Sequence, residues 1–175
     1  MKKMIVVAVL IAAGVAFASS LSVPWFVDTG SNGAGFPPTN GTGVQGIVYL
    51  HNNLTSDMTC AIAYYSGTGM SLGPAAPDNT FTIPANSTVA FRPVADDPST
   101  VGGGQESAVA LAVPNRPILG TDVGDGSGAK KNGSLVVAWV GGAGDVQGLI
   151  VESTNVDGSP SGRLLQYGTL LPPGV

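Results

Sequence analysis

The chain is expected to be all-β, an antiparallel β-sandwich of about eight short strands, and three observations point there. Short β-branched and aromatic runs recur along it, punctuated by Gly, Pro, Asn and Asp. No stretch after Ala18 places apolar residues at i, i+3, i+4 and i+7 between charged faces, the pattern an amphipathic helix needs. With 26 Gly and 13 Pro, almost every window of about ten residues is interrupted.

Residues 1–18 stand apart. Met1-Lys2-Lys3 is a basic start, Met4 to Ala18 is an unbroken apolar run, and Ala16-Phe17-Ala18 precedes Ser19. That order describes a secretory signal peptide. The apolar run is 15 residues long, shorter than the ~18–20 that cross a bilayer. Cleavage before Ser19 is therefore expected rather than anchoring, with no membrane span afterwards. The expected location is outside the cytoplasm: extracellular, cell-surface or periplasmic. The expected organisation is a signal peptide over 1–18, an N-terminal arm and turn-rich segment over 19–43, and the sandwich over 44–175.

In the arm, Leu21, Val23, Trp25 and Val27 alternate and would line one face of an added strand. Pro24 restricts that strand to a sheet edge, because it cannot donate to a ladder. The strand can lie on its own sheet or add to a neighbour's open edge.

Eight further strands follow. Val44–Leu50, Thr59–Tyr65, Thr80–Ile83 and Thr88–Arg92 make the first half, and Ala108–Val113, Ser134–Val140, Val146–Glu152 and Arg163–Leu170 the second. In Ser134–Val140, Leu135, Val137 and Trp139 oppose Val136, Ala138 and Val140, so this strand is apolar on both sides and belongs in a sheet interior. Between Phe81 and Phe91 two alternating segments flank Pro84-Ala85-Asn86-Ser87 and are expected to pair as a hairpin. Phe81, Ile83, Val89 and Phe91 are then available to one core face. A second hairpin is expected from Trp139 to Val146 across a glycine-rich turn. Strand-rich chains of this kind close as Greek keys, immunoglobulin-like or jelly-roll-like. The Phe81–Phe91 segment resembles a hairpin common in secreted immunoglobulin-like modules.

Composition narrows the function. Without residues 1–18 the chain has 157 residues, with five basic against eleven acidic side chains, a formal net charge of −6. Its few cations are scattered, so nucleic acid is not an expected partner. Charged residues make up only 10 % of the chain, well below the usual quarter. Gly, Ser, Thr and Asn must therefore cover much of the outside. Cys60 is the only cysteine, so no internal disulfide can form. It is expected to be buried; the alternative is pairing between chains.

No catalytic residue and no cofactor are expected. Gly69-Met70-Ser71-Leu72-Gly73 fits the nucleophile-elbow pattern, but Pro74 and Pro77 forbid the helix that must follow. The sole histidine, His51, precedes Ser71, whereas that fold places its histidine after the serine. His51, after a strand end, reads as a solvated turn residue, and one His cannot build a histidine zinc site. Asp122 and Asp125 are weak calcium candidates: Asp122-Val123-Gly124-Asp125-Gly126 resembles a calcium-loop fragment but lacks the distal Glu. Asp-Gly is also an ordinary turn. Sequons occur at Asn40, Asn53, Asn86 and Asn132.

The expected function is that of a secreted non-catalytic β-sandwich with a structural or adhesive role, a subunit that assembles with copies of itself. The alternative is a carbohydrate- or ligand-binding module, with a surface polysaccharide as partner. Trp25, Phe26, Tyr49 and Tyr65 are the candidate contact residues, since aromatics dominate interface energetics. Tyr64 and Tyr65 must face opposite ways, so one of them belongs to the core.

Overall fold

The structure is a computed structural model and describes residues 19–27, 44–93, 113–117, 132–154 and 163–170. Its nine strands are β1 (Ser19–Phe26), β2 (Val44–Asn52), β3 (Met58–Ser66), β4 (Ser71–Gly73), β5 (Thr80–Ile83), β6 (Thr88–Phe91), β7 (Gly133–Trp139), β8 (Val146–Thr154) and β9 (Arg163–Leu170). Among the described residues there is no helix, hence none long and apolar enough to cross a membrane. The expected Ala108–Val113 strand lies outside the described residues except for Val113, which is buried but not in a strand.

All pairings are antiparallel and form two sheets. The five-stranded sheet runs β1-β7-β3-β4, with β5 also on the β4 side of β3; the four-stranded sheet runs β6-β2-β8-β9. One apolar cluster takes side chains from both. Leu21, Val23, Ile62, Leu135, Val137 and Trp139 come from the first sheet, and Val48, Leu50, Val89, Phe91 and Val146 from the second. Burying side chains of this size is worth about 1.5–3 kcal/mol each, the main force holding the sheets together.

β7 is an interior strand, as its apolar alternation requires. Leu135, Val137 and Trp139 point into the core, while Val136 and Ala138 are half-buried on the other side. β1 pairs with β7 of the same chain, so the N-terminal strand lies on its own sheet, at an edge. Its alternation differs from the expectation beyond Val23. The register shifts between Val23 and Phe26, and the extra residue at exposed Pro24-Trp25 turns Phe26 inward and Trp25 outward.

Neither expected hairpin forms. β5 pairs with β3 and β6 with β2, so Pro84–Ser87 carries the chain from one sheet to the other. The four apolar residues still share one core, because they approach it from opposite sides. Asn52 holds the crossing in place. Its buried Nδ2 donates to the carbonyls of Ser56, Ile83 and Pro84 at 2.8, 3.1 and 3.1 Å, and its Oδ1 accepts the Leu54 N–H at 3.0 Å. The Asp57 carboxylate accepts the Ala85 N–H at 3.1 Å, and Asn86 takes the left-handed conformation at φ 51°. The Pro84–Ser87 turn still closes, the Pro84 carbonyl accepting the Ser87 N–H at 3.2 Å, but the Ile83 carbonyl beyond it goes to Asn52 and the Ser87 carbonyl accepts the Asn52 N–H at 3.0 Å.

The Trp139–Val146 segment likewise changes sheets, since β7 and β8 pair with different partners. Asp145 accepts the Gly142 N–H at 2.7 Å, the Trp139 Nε1–H donates to the Gly142 carbonyl at 2.9 Å, and Ser19 Oγ donates to the Gly141 carbonyl at 2.7 Å. At the far end of β1, the Val27 N–H donates to Glu152 Oε1 at 2.7 Å, tying β1 across the core to β8.

Candidate functional site

The five strands of the first sheet contain no Asp, Glu, Lys or Arg. Their inward residues fill the core, and their outward residues form a face of small, neutral side chains. Cross-strand register lays these out in rows. One row is Ser20–Ala138–Ala61–Thr80, and the next is Ser22–Val136–Ala63.

Large apolar groups rim this face. Trp25 is 48 % exposed, Met70 57 % and Val140 57 %, the only large hydrophobic side chains exposed among the described residues. All three belong to this sheet or its turns. Trp25 stands on β1 and Met70 in the β3–β4 hairpin. The indole reaches the same hairpin, with its Cη2 3.0 Å from where a Cβ on Gly67 would sit. That hairpin is tied by the Ser66 N–H to the Met70 carbonyl at 2.9 Å and by Met70 N–H to Ser66 Oγ at 3.1 Å. Val140 follows β7 at the opposite end.

Tyr65 shares the face. It is half-buried on β3, opposite Ser134 and next to the hairpin that carries Met70. Tyr64 points the other way, fully buried, with its hydroxyl donating to the Pro114 carbonyl at 2.9 Å. Close approach of strands at this end rests on Gly133, where a Cβ would collide with the Tyr65 carbonyl oxygen.

The candidate contact residues therefore separate. Trp25 and Tyr65 come together on one face. Phe26 is fully buried in the core, turned in by the β1 bulge. Tyr49 lies half-buried on the outer side of the four-stranded sheet, opposite Ala90 and Leu149. On that second outer side Gln45, Ile47, Ala90 and Ser153 are buried, whereas on the first, among the described residues, only Ala61 is. Met70 and Val140 were missed by sequence reasoning. The turn chemistry of Gly67–Gly69 and Gly141–Gly144 was the available signal, because residues at turn tips are poorly covered.

The residues singled out for chemistry do not converge. Ser71 is exposed on β4 of the five-stranded sheet, and His51 is on β2 of the other. His51 Nδ1 sits 2.9 Å from Thr88 Oγ1 across the β2–β6 pair, within the strand rather than in a turn. Asp122 and Asp125 lie outside the described residues. Among the described residues no group of three His, Cys, Asp or Glu side chains could hold a metal ion. Cys60 is buried between Phe81 and Trp139 as ladder partners. Burial pushes its thiol from 9.0 up to about 12, leaving it inert as a nucleophile at neutral pH.

Comparison with protein-family models, curated proteins and solved structures gives no match.

Proposed function

We propose that this chain is a secreted, non-catalytic β-sandwich with a structural or adhesive role. It acts by contact through the outer face of its five-stranded sheet. The observation that carries this reading is the coincidence of an uncharged sheet with all of the exposed large apolar side chains among the described residues. Exposed apolar groups gathered on one face of a folded surface mark an interaction site; here Trp25 meets the hairpin that bears Met70 at one end of the face, and Val140 stands at the other. The sandwich assignment is supported by two antiparallel sheets feeding one core, with chain crossings between β1 and β2, β2 and β3, β5 and β6, β6 and β7, and β7 and β8. Export is supported by the signal-like Met1–Ala18 segment.

A polysaccharide-binding module is the second reading, favoured by the exposed indole of Trp25 on the face that also bears Tyr65. Among the described residues this face holds one exposed ring and the half-buried Tyr65, and otherwise offers small hydroxyls and methyls. Contact with a broad neutral surface therefore fits better than a sugar subsite.

Fractionation of producing cells tests the reading. The protein should be found outside the cytoplasm, beginning at Ser19 and retained on the surface. A Trp25→Ala/Met70→Ala double variant should be exported equally but shed into the medium. A cytoplasmic protein with Met1–Ala18 intact, or unchanged retention of the double variant, would count against it.

A further inference from the structure

We infer that the outer face of the five-stranded sheet docks against the same face of a second copy of this chain, sheet on sheet. The inference rests on the contact reading above and names its partner. Charge argues for a like partner. Without residues 1–18 the chain is net negative, formally −6, so two copies repel wherever their acidic surfaces meet. A sheet without Asp, Glu, Lys or Arg is where they can meet without that cost.

Shape argues the same way. The rows Ser20–Ala138–Ala61–Thr80 and Ser22–Val136–Ala63 carry short side chains, half-buried except for buried Ala61 and exposed Thr80. Rows of short side chains can pack against their own copy about a two-fold axis, the isologous arrangement. Sheets normally stack about 10 Å apart, and small side chains permit that approach or a closer one. Trp25, Met70 and Val140 stand at the ends of the face, where they would clasp the partner's rim.

Other partners fit less well. An anionic lipid surface calls for Lys or Arg, which these strands lack. A saccharide calls for converging polar side chains, whereas the middle of this face is Val136, Ala138, Ala61 and Ala63. Size sets the strength. Four strands abreast, about 4.8 Å apart, over about seven residues of ~3.3 Å give a flat area near 450 Å². Stable complexes bury about 800 Å² per partner. The dimer is therefore reversible and concentration-dependent.

Sedimentation equilibrium of the exported protein, from about 1 μM to about 1 mM, tests this. The mass should rise from monomer towards dimer across that range. Val136→Lys, which places a charge mid-face, should hold the protein at monomer mass throughout. Gln147→Lys, exposed on the four-stranded sheet, should dimerise like the wild type. If Val136→Lys fails to fold by circular dichroism, Ser22→Lys and the exposed Thr59→Lys take its place. A wild-type protein that stays monomeric to 1 mM overturns the inference, as does dimerisation indifferent to every face lysine. A monomer whose surface retention is nonetheless lost in the face variants would overturn self-docking while leaving the contact reading intact.

Discussion

The indole of Trp25 on β1 lies against Gly67 in the β3–β4 hairpin, reaching past the end of β7 to touch a turn more than forty positions later in the chain. A Cβ on Gly67 would meet Trp25 Cη2 at 3.0 Å and Cζ3 at 3.4 Å. The contact sets the indole's orientation at the rim of the uncharged face. Because Gly67 is exposed and its turn imposes no positive φ there, Gly67→Val should push the indole aside at little cost, within about 0.5 kcal/mol. Near-ultraviolet circular dichroism should change while the denaturation midpoint stays put. An unchanged aromatic spectrum would mean the indole does not rest there.

Gly133 should behave in the opposite way. Its added Cβ would strike the Tyr65 carbonyl oxygen, a backbone atom of the adjacent strand, and crowd Phe26 Cζ at 3.4 Å. Backbone cannot move aside as a side chain can. Gly133→Ala is expected to cost about 3 kcal/mol, the upper end for overpacking, read as a lowered midpoint in urea.

Asn52 should prove the most sensitive polar residue of the core. Its amide donates to three carbonyls and accepts one N–H where the chain passes between sheets. Asn52→Ala leaves these groups without their partner and should cost about 3 kcal/mol, the top of the range for an unsatisfied buried group. Asn52→Asp should be worse, because it sets a carboxylate against carbonyl oxygens. Denaturant titrations of the two variants would rank them, and equal midpoints would refute the role given to the donor.

These positions show what was legible in the sequence. Alternation read β7 and the strand cores correctly, because inward residues such as Leu135, Val137, Ile83 and Val89 obey a period of two whatever they pair with. Pairing was not legible for the same reason. Phe81–Ile83 and Val89–Phe91 would line one face equally well as a hairpin or as two strands on opposite sheets. Asn52, about thirty positions upstream, takes the Ile83 carbonyl with its side chain and shares that of Pro84 with the Ser87 N–H, a long-range link that local periodicity does not carry. β4 is not among the expected strands, since three residues between glycines and prolines carry no periodicity. Likewise Trp25 and Phe26 exchanged roles because a bulge at Pro24 shifts the register by one residue. The contact face was visible as low overall charge and in two of its aromatics, Trp25 and Tyr65. Its gathering onto one sheet is a property of the topology.

Cys60 gives a test by pH. Burial raises its thiol from 9.0 to about 12. Below pH 9 both folded and unfolded chains hold the proton, so this group adds no pH dependence. Between about 9 and about 12 the unfolded chain releases the proton and the folded one keeps it, so stability should fall as pH rises. Replacing it by alanine should flatten that slope. In native protein at pH 8 the thiol should resist alkylation and react only on unfolding; rapid labelling without unfolding would contradict its burial.

Tryptophan fluorescence tests the central claim most directly, because Trp139 is buried in the core and Trp25 stands on the proposed contact face. The emission of the exported protein, minus that of Trp25→Phe, isolates Trp25. At about 1 μM the difference spectrum should be that of an indole in water. With rising protein concentration, or on addition of surface material from the producing cells, it should shift to the blue as the face is covered. A difference spectrum that remains water-like under both conditions, while the protein is still retained on the cell surface, would show that contact is made elsewhere.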